Sequence, residues 1–166
     1  MNNLIYKEKN ISDVINISFI RHNITYNKKI YFYLTDSMKE NIIKNINKKL
    51  QFFADCTYNV IPWQNKNFKL FVLIAFNTTA NKTELCSLVL LTNENVETFS
   101  NIYEYLIDKY NFYPTKMTED CQKANIIAIQ KHFPNCYIII CYFHIIRRFV
   151  LHLPKYNLKI KKKRVS

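Results

Sequence analysis

Val96-Glu97-Thr98-Phe99-Ser100-Asn101-Ile102-Tyr103-Glu104-Tyr105-Leu106-Ile107-Asp108-Lys109-Tyr110 is the stretch at which the hydrophobic period of this chain changes. Over residues 95–110 the apolar positions Val96, Phe99, Ile102, Tyr103, Leu106 and Ile107 recur at intervals of three and four, the spacing of a helix with one buried face. Upstream of it the pattern is that of strands. Leu50-Gln51-Phe52-Phe53-Ala54-Asp55 reads as a buried strand ending in a carboxylate, and Ile61-Pro62-Trp63-Gln64-Asn65 as a turn. Residues 68–76 are a continuous apolar run, too short for a helix and rich in strand formers. After the polar turn Thr78-Thr79-Ala80-Asn81-Lys82-Thr83, residues 85–91 supply a third strand, and the three predict an antiparallel meander.

Downstream, strands and helices alternate. Pro114 closes the helix, residues 115–120 form a short strand that again ends in a carboxylate, and residues 124–132 form a helix with Ile127, Ala128 and Phe133 inward. Pro134 stops that helix, residues 136–141 are a very apolar strand, and residues 143–153 are helical as far as Pro154. Ahead of the meander, a helix starts near residue 37 with Asp36 or Ser37 as its cap and Glu40 near the capping-box position, and runs to residue 48. Residues 1–30 have no clear period. The order β-β-β-α-β-α-β-α predicts an α/β fold with an RNase H-like mixed sheet: a three-strand antiparallel meander, then alternating helices and parallel strands. The expected organisation is an N-terminal segment over 1–48, a core over 49–153 and a basic tail over 154–166.

Composition narrows the function. The chain has 166 residues and no glycine. Phosphate loops that need glycine, whether of the P-loop, dinucleotide or kinase type, are therefore excluded, and left-handed turns fall to asparagine. The abundance of Asn, Lys, Ile, Tyr and Phe matches AT-rich codons, so part of the lysine excess reflects the genome and says nothing about partners. The net charge is +12, but it is unevenly placed. Residues 1–120 carry 14 basic and all 12 acidic residues, a net of +2; residues 121–166 carry 10 basic residues and no acid. That quarter of the chain is either a solvated lysine-rich tail or an attractor for a polyanion. The five cysteines are an odd number, and the first ten residues lack the apolar segment of a signal peptide, so a reducing compartment, not secretion, is expected. No run reaches the ~18 apolar residues of a membrane span.

Asp55 and Asp120 end the first and fourth of these strands. In the expected sheet those strands are parallel and adjacent at the centre, so both carboxylates reach one rim, where they could hold Mg²⁺ or Mn²⁺ through oxygen. On spacing alone the alternative carries the greater weight, because strand-end Asp residues are common: Asp55 caps a turn toward Thr57, and Asp120 caps the next helix.

Phe53-Ala54-Asp55-Cys56-Thr57-Tyr58-Asn59-Val60-Ile61-Pro62 resembles the Asp-Gly-Thr-Phe…Pro block of Mutator-like element (MULE) transposases. Residues 88–93 resemble the family's Pro-x-x-Tyr-Leu-Leu region, though without its proline. Thr115-Lys116-Met117-Thr118-Glu119-Asp120-Cys121-Gln122-Lys123-Ala124 resembles its second-Asp block, Ala128-Ile129-Gln130-Lys131-His132-Phe133-Pro134 its Ala-Ile…Phe-Pro block, and Cys141-Tyr142-Phe143-His144 its Cys-x-Phe-His motif. The five blocks stand in order over residues 34–149. The resemblance implies a DDE-type core for cut-and-paste DNA transposition, with Asp55 and Asp120 as catalytic and metal-binding carboxylates and Mg²⁺ or Mn²⁺ as cofactor. Cys56 stands where the family has glycine, which is expected to strain the turn after Asp55. The family's third carboxylate, a Glu, follows the Cys-x-Phe-His block; here no Asp or Glu follows Asp120. Glu119 does not replace it, because adjacent strand residues face opposite sides. The chain thus reads as a truncated fragment, inactive unless Asp36, Glu40 or another chain supplies an acid, or alternatively as a non-enzymatic nucleic-acid-binding remnant. An unrelated interaction protein with chance matches would instead hold Asp55 and Asp120 far apart.

His132, Cys136, Cys141 and His144 have short zinc-like spacing, but Cys136 and Cys141 lie an odd number apart and a straight strand points them to opposite faces, so zinc is not expected. The resemblance places Cys141 and His144 near the active rim, with His144 beside a DNA phosphate or a metal-bound water. Arg147, Arg148, Lys159, Lys161, Lys162, Lys163 and Arg164 are the expected contacts to DNA backbone, the last five also forming a nuclear-import-like patch. Trp63, Tyr103, Tyr105 and Phe112 are either core or base-stacking residues. The expected location is the nucleus, otherwise the cytoplasm, and an exposed apolar helix over 143–153 predicts self-association.

Overall fold

The computed structural model describes residues 30–57 and 68–152. Its element order is β1 (Ile30–Tyr33), α1 (Asp36–Asn47), β2 (Gln51–Thr57), β3 (Lys69–Asn77), β4 (Lys82–Leu91), α2 (Val96–Tyr110), β5 (Lys116–Glu119), α3 (Lys123–His132), β6 (Tyr137–Ile140) and α4 (Tyr142–His152). The strands form one mixed sheet in the order β1-β4-β3-β2-β5-β6. The neighbours from β1 to β2 are antiparallel, whereas β2, β5 and β6 are parallel. The expected α/β architecture, with its meander followed by alternating elements, is the one observed.

Alternation builds the packed face. Phe52, Ala54 and Cys56 of β2 and Phe71, Leu73 and Ala75 of β3 are buried on one side of the sheet. α2 lies over them through Phe99, Ile102, Tyr103 and Leu106, with the Phe71 ring 6.5 Å from that of Tyr103 and edge-on to it. α2 starts at Asn95, whose Oδ1 accepts the Thr98 N–H at 2.8 Å, and ends at Asn111 in the left-handed region. α3 packs against α2 through Ala128 and Ile129, while Ile127, expected inward, is exposed. α1 lies over β4 and β3, burying Met38, Ile42 and Asn45 at a spacing of one helical face. Tyr103, Tyr105 and Phe112 are core residues; Trp63 lies outside the described residues.

The structure adjusts several expectations. β1 is an additional edge strand. Its Ile-Tyr-Phe-Tyr sequence is apolar at every position, so no alternation marks it, yet Ile30 and Phe32 are buried and Tyr31 and Tyr33 are not. The cap of α1 is Thr35, whose Oγ1 accepts the Met38 N–H at 3.2 Å; Asp36 instead pairs with Lys39. β4 begins at Lys82, inside the expected turn, and is bulged at Cys86, since Leu73 pairs with Ser87 and Ile74 with Leu85. Both β1 and α1 belong to the same sheet and core as the remaining elements.

Candidate metal and phosphate site

Asp55 lies within β2, not at its end. Inward alternation of Phe52, Ala54 and Cys56 turns Asp55 to the face of the sheet away from α2, and its side chain is 52% exposed. The register between β2 and β5 pairs Phe53 with Thr118. Two residues further along both strands, Asp55 lies opposite Asp120, the residue just past β5. In a parallel pair at ~4.8 Å spacing, that register alone brings two carboxylates to one rim. The parallel register of β5 with β6 ends at Glu119 opposite Ile140, and the Cys141 N–H donates to the Glu119 carbonyl at 2.7 Å. α4 springs from that point, and its first turn carries His144 back to Asp55, with Nε2 3.9 Å from Oδ1.

Asp55, Asp120 and His144 thus converge: each offers a ligand atom within 4.8 Å of the other two. Partial burial pushes the Asp55 carboxyl up, His144 nearby opposes that shift, and the Asp120 carboxylate adds to it. Asp120 does not cap the next helix, the alternative weighed for it: the N-cap of α3 is Gln122, which makes no side-chain cap, and Asp120 Oδ1 instead accepts the Gln122 N–H at 3.0 Å in the turn before the helix. Asp55 instead sits in regular strand pairing, opposite Val72. The backbone strain expected at Cys56 is not there. Cys56 is a buried strand residue, and burial raises its thiol well above the ordinary range. The strained position is instead Cys121, whose φ of 69° is left-handed without being glycine, directly after Asp120. A chain with no glycine has to make this sharp exit from β5 with a side chain in place.

Beneath the rim, on the packed face, lies Glu119. It is almost wholly buried, and burial, reinforced by the neighbouring Asp120, pushes its carboxyl up to about 10, so it is neutral at physiological pH. Asn125 donates to Glu119 and accepts the Tyr103 hydroxyl proton at 2.7 Å, which links β5, α3 and α2. Strand alternation places Glu119 on the packed face, yet its carboxyl stays within hydrogen-bonding reach of the Asp120 side chain, and neither that contact nor the buried network is apparent from the sequence. The signal available was an acid two residues after the apolar Met117, on the same face of the strand, followed six residues later by Asn125.

The remaining candidates fall as follows. Arg147 and Arg148 are exposed on α4, three and four residues after His144 and therefore next to it on the helix surface. Lys159, Lys161, Lys162, Lys163 and Arg164 lie outside the described residues. Cys141 is half-buried where β6 passes into α4 and is not part of the converging group. His132 is 3.7 Å from Glu104, so the two histidines of the zinc-like spacing are directed at different carboxylates. Asp36 and Glu40 lie on α1, over β4 and β3, and neither joins the group. Among the described residues no helix is long and apolar enough to cross a membrane.

A mixed α/β sheet in which two adjacent parallel strands deliver acids to a common rim is the class of domain this chain presents. Residues 52–148, more than half of the chain, match the MULE transposase domain, and the chain belongs to that family. No curated protein matches it.

Proposed function

We propose that this chain is the metal- and DNA-binding core of a Mutator-like DDE transposase, with an RNase H-like sheet. The strand order β4-β3-β2-β5-β6, antiparallel on one side of β2 and parallel on the other, supports that fold. The observation that carries the functional reading is the convergence of Asp55 and Asp120 with His144. Two donors bound to one ion at ~2.0–2.3 Å are separated by up to about 4.5 Å, so donor atoms within 4.8 Å fit a divalent cation after a small closure. Oxygen donors on a half-exposed rim suit Mg²⁺ or Mn²⁺, which retain several waters.

In this reading Asp55 and Asp120 hold the cation. When bound, it supplies charge stabilisation to a phosphoryl group and lowers the pKa of a water or hydroxyl nucleophile. Arg147 and Arg148 meet the DNA backbone beside the rim and read no sequence. Asn125 and neutral Glu119 hold the end of β5 from below. A nuclear location accords with a DNA substrate.

The test is a Mn²⁺ titration followed by the loss of the free-ion EPR signal. Asp55→Asn and Asp120→Asn are each expected to weaken binding at least about tenfold while leaving the circular dichroism spectrum unchanged. Binding that survives both substitutions would end the metal-site reading. A second reading, DNA binding without chemistry, is favoured by the net charge of +10 over residues 121–166. It predicts that both variants retain DNA affinity with or without the ion, measured by fluorescence anisotropy on a labelled duplex.

A further inference from the structure

We infer that His144 is the third donor of the cation site, so that the site takes an Asp-Asp-His set and favours Mn²⁺ over Mg²⁺. The inference rests on the metal-site reading above and goes beyond it by adding a nitrogen ligand and an ion preference. Three observations lead to it. First, the imidazole does not clamp Asp55 directly: at 3.9 Å, Nε2 lies beyond the ~2.7–3.2 Å of a hydrogen bond, and the gap leaves space for something between the two atoms. Second, Nδ1 of His144 is buried and has no hydrogen-bond partner among the described residues. With no partner at Nδ1, nothing in the described fold commits the ring's proton, so Nε2 can present its lone pair to an ion. Third, among the described residues the side chain that converges with both carboxylates carries a nitrogen, on the first turn of α4.

The position follows from the fold. β6 ends level with Glu119, Cys141 hydrogen-bonds to the Glu119 backbone, and the turn of helix that begins there brings residue 144 over the rim. The chemistry of the set fixes the preference. Mg²⁺ favours all-oxygen octahedral surroundings and sheds its waters reluctantly, whereas Mn²⁺ and later divalent ions accept imidazole readily. With Arg147 and Arg148 one turn further along the same helix, α4 would supply both an ion ligand and cationic partners for a phosphate at that ion.

The experiment is electron spin-echo envelope modulation on the full chain loaded with Mn²⁺ at substoichiometric ratio. The expected result is a ¹⁴N coupling from a directly bound imidazole. It should vanish in His144→Ala and persist in His132→Gln, whose side chain lies elsewhere. His144→Ala should also weaken Mn²⁺ binding about tenfold or more, while competing Mg²⁺ loses less than about threefold. Mn²⁺ binding that depends on Asp55 yet shows no nitrogen coupling in the wild-type chain would overturn the inference and leave the metal-site reading standing. Binding indifferent to Asp55→Asn would overturn both. The wild-type spectrum answers the question even if a variant fails to fold.

Discussion

Glu84 is buried in β4 and accepts hydrogen bonds from Lys44 at 2.8 Å, Asn45 at 2.9 Å and Asn77 at 3.2 Å. These donors, Lys44 foremost, hold its carboxyl down to about 2, below the ordinary 4.5. The sign follows directly. A depressed native value contributes stability that is fully present above pH 4.5 and is lost as the pH falls from there toward 2. Glu84→Gln should therefore cost on the order of 1–3 kcal/mol at pH 7 and much less near pH 2, measured by urea denaturation at both. At this scale much of the candidate site was legible: Asp55, Asp120 and His144 were all singled out by residue type and position. Their meeting was not, because nothing in a Cys-x-Phe-His spacing states which carboxylate the histidine will reach. The expectation about strain erred in place. A residue that replaces glycine strains only where the backbone is left-handed, and β2 keeps Cys56 extended while the chain turns sharply at Cys121.

At the scale of the element, the absence of glycine leaves marks at helix ends. α1 closes with Lys49 at φ 51°, where its N–H donates to the Ile46 carbonyl and the Leu50 N–H reaches back to Asn45. That is the position glycine usually fills. Lys49→Gly should stabilise the chain by about 0.5–1 kcal/mol, since it relieves a side chain held in the left-handed region. At the other end of the same helix, Thr35→Ala should cost about 1 kcal/mol through loss of the cap to Met38. Thermal denaturation of the two single variants checks both, and the expected shifts have opposite sign. The helices and the meander strands were readable because period and turn residues are local properties. β1 was not, because its four residues are all apolar and only pairing with β4 shows which of them face the core.

For the whole molecule, α4 stands out. None of its residues is buried, and Phe149 and Leu151 are 62% and 65% exposed. Apolar surface of this kind promotes association. Phe149→Glu with Leu151→Glu should shift the chain toward monomer in sedimentation velocity at tens of micromolar, and a wild type that is already monomeric there would refute self-association through this face. The same helix carries the cationic partners proposed for DNA. Replacing Arg147 and Arg148 with alanine should weaken duplex binding and reduce the slope of log K against log salt by about 2, one for each phosphate that an arginine neutralises. An unchanged slope would remove these arginines from the interface.

The order of the elements, the excess of positive charge after residue 120 and the identity of the rim residues are written in local pattern and composition, which need no knowledge of what lies nearby in space. The parallel pairing of β2 with β5, the register that sets Asp55 opposite Asp120 and the return of His144 over them depend on pairing between residues more than sixty positions apart. That pairing forms only when the alternating faces of all the strands are buried together, because a slip of one residue would turn Asp55 into the core and Phe52 out of it.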